Sequence, residues 1–323
     1  MELVAILTRR DIVVLVNNVV ESVYALRVFV EEGSKLISGL EGVSDLTIVP
    51  LLYSPRRYID ARSIDSVYSV LRELGSVKRL GVVLFSGGGD IDEAYLLATY
   101  LQGLAEEKLV FYVPRYAKSA ATLLALSGDE VVMLPVAELG PIDPLIYDSK
   151  ADRYIPLQSI LEILNLLSRS DMPSNLVNTI LEKMPVTQLG DYKRAVEHNA
   201  ELCARVLSRR MLRDNPEKAG EIAMRLVGYK QHSAAITLRD ALELGIKARV
   251  ASREEAEYLW RLHRLWVEQV IDYEELIPPE GSEPVEFKFT RGLVLTVAPR
   301  ELLEKATSTQ SKEHDEPKTL SLH

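Results

Sequence analysis

The chain has 323 residues, a net charge of −9 and a pI near 5.3, with 47% hydrophobic and 26% charged residues. That balance supports a sizeable apolar core and excludes a disordered or collagen-like chain. The single cysteine, Cys203, excludes an intramolecular disulfide, and an acidic chain without a basic stripe lacks the cations that nucleic-acid binding requires.

At the N-terminus, Arg9 and Arg10 follow the apolar run Met1–Leu7, the reverse of a secretory signal's charge order. The next run, Ile12–Val30, is apolar but contains Asn17, Asn18, Glu21, Ser22 and Arg27. Charges inside a membrane span are costly, so this run reads as a helix packed on the protein or on another subunit. A cytoplasmic or membrane-peripheral location is the expectation.

Leu46–Leu52 reads as a strand, and Ile64, Val67, Tyr68, Val70 and Leu71 recur at helical spacing after it. Leu80–Phe85 is a second strand that stops at Ser86-Gly87-Gly88-Gly89-Asp90, followed by the helical stripe Ala94, Leu97, Ala98 and Leu101. Leu109–Val113, the small-residue helix Ser119–Leu126 and the strand Glu130–Leu134 continue the pattern. Fully apolar strands between amphipathic helices indicate an α/β fold with a largely parallel sheet. Beyond it, Ser159–Leu167, Leu176–Glu182, Asp191–Leu212, Ile236–Gly245 and Arg253–Ile271 carry helical stripes. Val285–Thr290 and Gly292–Val297 read as a hairpin, and the polar stretch from about Thr307 as a disordered tail. The resulting division is residues 1–45, an N-terminal helical segment; 46–250, the main domain; 251–305, a C-terminal helix and hairpin; and 306–323, the tail.

Two features could carry chemistry. The triple glycine leaves a buried strand and opens a helix, so its N–H groups could hold a phosphate or an oxyanion, or simply make a tight turn. No Lys-Ser/Thr follows it, and Asp90 would repel a phosphate. The second feature is Ser119, standing between a strand and a helix, where it could cap the helix or present its hydroxyl to a cleft. Both lie at the carboxyl edge of successive parallel strands, where α/β sheets bind ligands. The five histidines show no spacing supported by other metal ligands, so neither a metal nor another cofactor is expected.

At these residues the sequence resembles the serine dehydrogenase proteinase family of the ClpP/crotonase superfamily, close to signal peptide peptidase A. The matching blocks are Leu84–Asp90, Tyr112–Leu123, Gly128–Met133 and Glu138–Pro144, with weaker matches at Arg57–Asp60, His232 and Ala241–Ile246. The resemblance implies a ClpP/crotonase-like spiral of ββα units, here with added N- and C-terminal helices, and a serine peptidase site. Ser119 is the matching nucleophile. Gly88 and Gly89 match the oxyanion segment, with Ala120 N–H as the other donor. ClpP-like proteases carry a histidine after the fourth strand, but Gly140-Pro141-Ile142-Asp143 contains none. By likeness to signal peptide peptidase A, Lys183 is the expected base. His232 is the alternative base or orienter, and Lys118 a further one. The expected partners are a peptide or protein substrate, copies of the same chain, and a membrane-protein substrate or partner. The rival readings are a noncatalytic scaffold that keeps the fold and a crotonase-like acyl-CoA enzyme. The latter needs a basic rim for the CoA phosphates, and Asp90, Asp92 and Glu93 oppose it.

Overall fold

The computed structural model describes residues 17–148, 152–156, 162–163, 165–168, 172–183 and 186–300. The first helix, α1 (Asn17–Ser44), runs well past the apolar stretch that announced it and leads into β1 (Thr47–Tyr53). There follow α2 (Ala61–Leu71), β2 (Val77–Phe85), α3 (Ile91–Leu104), β3 (Ala105–Val113), the short β4 (Tyr116–Ala117), α4 (Ala120–Ala125), β5 (Glu130–Met133) and the short β6 (Glu138–Leu139). A two-stranded hairpin, β7 (Leu145–Asp148) and β8 (Arg153–Pro156), precedes α5 (Ser174–Lys183), α6 (Val186–Arg209), α7 (Pro216–Val227), α8 (Leu238–Leu244) and β9 (Ala248–Val250). Then come α9 (Arg253–Trp266), a π-helical turn over Val267–Ile271, α10 (Asp272–Glu275), β10 (Ser282–Lys288) and β11 (Leu293–Pro299). Of the helix expected at Ser159–Leu167, residues 162–163 and 165–167 are described and helical, while 159–161 and 164 lie outside the described residues, as do residues 1–16 and the tail.

The main sheet has the order β10-β11-β1-β2-β3-β5-β9, all parallel except the antiparallel β10–β11 pair. From β1 to β9 each new strand joins on the same side, which winds the chain into a spiral. The strands are apolar on both faces because helices cover both: Val82–Phe85 and Leu109–Val113 are buried throughout. Each long strand is followed at its carboxyl end by a short extended piece, and these pieces pair with one another. Ile59 bridges Gly89, Ser86 bridges Ala117, β4 pairs with β6, and Leu139 bridges Ile236. This second row of pairings makes each turn a ββα unit, and the candidate site stands on it.

The N- and C-terminal additions are built into the same core. β11 pairs with β1, extending the sheet beyond its first strand. α1 lies along α9, and Gly39 permits the close approach: a Cβ there would stand 2.2 Å from the Tyr258 ring. Phe29 meets Trp266 and Phe289 edge-on, and Trp266 stacks on Phe85 at the end of β2. Within the α9 helix, Trp266 is therefore core, whereas Trp260 is 45% exposed. At its N-terminus, Glu255 accepts Tyr112 Oη (2.9 Å), both Arg249 terminal nitrogens (2.7 and 2.8 Å) and the Ser252 N–H (2.7 Å). Burial alone would raise this carboxyl, but those bonds outweigh it and hold its pKa at about 2. Among the described residues, no helix is long and apolar enough to cross a membrane.

Candidate active site

Ser119 sits at the corner between β4 and α4 with φ 52° and ψ −124°, a conformation a non-glycine residue rarely adopts. Such a residue costs about 1–3 kcal/mol and persists only where its surroundings over-determine it. The surroundings do so here. Lys118 N–H donates to Ser86 O (3.0 Å), while Ala121 N–H and Thr122 N–H donate to Lys118 O and Ser119 O (2.9 and 2.8 Å). Thr122 Oγ1 donates to Ala117 O (2.7 Å) and accepts from Gly140 N–H (2.9 Å). Ser119 occupies the N-cap position, yet its hydroxyl makes no capping bond. Among the described residues Oγ has no hydrogen-bond partner, so the corner presents a free hydroxyl.

The glycine segment runs beside this corner. Gly88 (φ 109°) packs so closely that a Cβ would stand 2.8 Å from both Ser119 Cβ and Lys118 O. Gly89 (φ 150°) lies against Ile59, where a Cβ would fall 2.3 Å from Ile59 O. Ile59 N–H donates to Gly88 O (2.9 Å) and Asp90 N–H to Ile59 O (2.8 Å), which locks the segment from the outside. The Gly88 N–H is itself used, donating to Ser86 Oγ at 3.1 Å. Gly88 is therefore the close-packing surface for Ser119, and its N–H is committed elsewhere. The Gly89 and Ala120 N–H groups have no acceptor among the described residues, and Ala120 N is 3.3 Å from the position of a Gly88 Cβ. Asp90 Oδ1 accepts the Asp92 and Glu93 N–H groups (2.8 and 3.1 Å), so a carboxylate of the chain itself fills the N-terminus of α3.

The Lys118 side chain is engaged by other groups. Its Nζ is 2.9 Å from Glu138 Oε2 and donates to Ala234 O at 3.2 Å. Arg115 holds the other Glu138 oxygen at 3.0 Å. Burial would raise the Glu138 carboxyl, but these two cations outweigh it and lower its pKa. His232 is half-buried, and its Nδ1 lies 2.9 Å from Oδ1 of Asp143, a carboxylate only 2% exposed. Asp143 belongs to the segment in which sequence reasoning looked for a histidine and found none. The structure places a histidine there from another turn of the spiral, because Leu139 and Ile236 exchange backbone bonds (2.9 and 3.0 Å). Lys183 closes α5, and its side chain lies outside the described residues. Of the remaining described histidines, His198 pairs with Asp92 (2.8 Å) on the surface, and His263 stacks on Phe85 with its pKa lowered by burial and by Arg115 and Arg264.

A spiral α/β domain with a strained serine at the carboxyl edge of its sheet, flanked by a glycine segment, defines a ClpP-type fold. The chain belongs to the family of ClpP-like SDH-type serine proteinases, whose model matches residues 33–283. Two uncharacterized proteins of Methanocaldococcus jannaschii are similar to it. MJ0137 is 26% identical over 217 residues, 66% of this chain and 68% of its own. MJ1495 is 24% identical over 221 residues, 67% of each chain. Among solved structures, a serine-to-alanine mutant of the 1510-N membrane-bound stomatin-specific protease gives a TM-score of 0.40 at 16% identity, covering 63% of this chain and 78% of that one. A lysine-to-alanine mutant of the same protease, in complex with a substrate peptide, gives 0.40 at 17% identity, covering 81% and 96%.

Proposed function

We propose that this chain is a serine peptidase whose nucleophile is Ser119. The observation that carries the reading is the backbone of Ser119: a positive-φ serine whose hydroxyl makes no capping bond and whose β-carbon packs against Gly88. Strain of this kind is maintained where presentation of a side chain matters more than stability. In the proposed reaction Ser119 Oγ attacks the scissile carbonyl. The Gly89 and Ala120 N–H groups receive the developing oxyanion, and Ser86, by taking the Gly88 N–H, fixes the segment that presents them. The leaving amine departs with a proton from the base, and water then hydrolyses the acyl-enzyme.

For the base we favour His232 over Lys183. A buried carboxylate on Nδ1 fixes the imidazole tautomer and leaves Nε2 to take the serine proton, the division of roles general to such sites. The crotonase-like alternative is disfavoured by Asp90, which occupies the helix end that a phosphate would use. The test is labelling with a fluorophosphonate probe followed by peptide mapping. Modification at Ser119 is expected, and an unlabelled protein would refute the peptidase reading in favour of a noncatalytic scaffold.

A further inference from the structure

We propose that Glu138 and Lys118 form a positioning brace that fixes the nucleophile corner against the segment carrying His232; the proposal rests on the serine-peptidase reading above. Lys118 connects the nucleophile, the start of the glycine segment and the segment that follows His232. Through the chain it delivers Ser119. Through its N–H it is bonded to Ser86 O, at the start of the glycine segment (3.0 Å). Through its ammonium it reaches Ala234 O (3.2 Å), two residues beyond His232. Its stem lies on Gly140, where a Cβ would stand 2.7 Å from Lys118 Cδ, so the stem has a fitted seat.

Glu138 sets the direction of that ammonium. One carboxylate oxygen takes Lys118 Nζ (2.9 Å) and the other takes Arg115 (3.0 Å). Arg115 and Lys118 flank β4, and β4 is paired with β6, in which Glu138 stands opposite Tyr116. One side chain thus grips both ends of the strand that delivers the nucleophile. An ammonium engaged by a carboxylate and a carbonyl has no lone pair to offer a serine proton, which makes Lys118 a positioning residue and not a base.

The test is saturation kinetics of fluorophosphonate labelling, which separates the limiting inactivation rate from the half-saturating probe concentration. Lys118→Met and Glu138→Gln are each expected to lower the rate by about 10–100-fold, the effect of a displacement near 1 Å, with half-saturation within about twofold of wild type. The double variant is expected to be no slower than the slower single one, since both remove one device. Should Lys118→Met fail to fold, Glu138→Gln, which keeps the side-chain size, carries the same comparison. Unchanged rates in a protein whose wild type labels at Ser119 would overturn the brace and leave the peptidase reading standing. A faster rate in Glu138→Gln at neutral pH would also overturn it, marking Lys118 as a base released from its counter-ion. A wild-type protein that does not label would remove the peptidase reading and the brace together.

Discussion

Ser119 offers a direct measurement of the energy stored at the site. Its φ of 52° puts a β-carbon where L-residues are strained, at a cost of about 1–3 kcal/mol. Ser119→Ala keeps the β-carbon and therefore the strain. It removes a hydroxyl that has no partner among the described residues, so stability should stay within about 1 kcal/mol of wild type. Ser119→Gly removes the β-carbon as well. Glycine adds about 0.5–1 kcal/mol of chain entropy to the unfolded state, which offsets part of the gain. The net expectation is that the glycine variant is more stable than the alanine variant by about 1 kcal/mol, or about 1–2 °C at the thermal midpoint for a chain of this length. Scanning calorimetry on the two variants side by side reads this difference, while both should lose labelling at residue 119. A glycine variant less stable than the alanine variant would refute the strain argument, because only relief of strain can outweigh the entropy that glycine adds.

Two further expectations concern the glycine segment and acid stability. Gly89→Ala should destabilise the fold by about 2 kcal/mol or more and abolish labelling, since its Cβ would stand 2.3 Å from Ile59 O, whereas Gly87→Ala, which meets nothing within 4 Å, should be folded and reactive; equal behaviour of the two would show that the segment is only a turn. Glu255, whose pKa is depressed to about 2 from 4.5, contributes stability that is fully present above pH 4.5 and lost as the pH falls toward 2. The contribution is about 3 kcal/mol, so Glu255→Gln should lower the midpoint at pH 7 and flatten the acid limb of stability, and an unaltered acid limb would count against it.

What was legible in the sequence follows from locality. Strands buried on both faces announce themselves as unbroken apolar runs, so Leu80–Phe85 and Leu109–Val113 were placed correctly within longer strands. Ser119 and the glycines were legible because their chemistry lies within single loops. α7 was missed although its start is written in Asn215-Pro216: the asparagine caps Lys218 N–H and proline opens the helix. The pairing of β11 with β1 joins residues more than 240 positions apart, and no periodicity encodes it. The same holds for Asp143 and His232, which meet only because successive turns of the spiral stack. Two separate signals, an acid in the Gly140–Pro144 block and an isolated histidine, carried no indication of each other. The double use of Glu138 was equally hidden, since an acid beside a short extended segment looks like any solvated charge.

The choice between the two bases is the most consequential open comparison, and it separates cleanly. If His232 takes the Ser119 proton, His232→Ala should abolish labelling, and Asp143→Asn should slow it by about 10²–10⁴-fold by upsetting the tautomer that leaves Nε2 free. Lys183→Ala should then label at a rate close to wild type. The pH dependence discriminates independently of any substitution. A histidine base works only while neutral, so labelling should fall as the pH is lowered through the range in which imidazole gains a proton, with a plateau above it. A lysine base would instead give a rate that climbs into the alkaline range, where an amine loses its proton. Loss of labelling in Lys183→Ala, with retention in His232→Ala, would refute the histidine assignment and return the site to a serine–lysine pair.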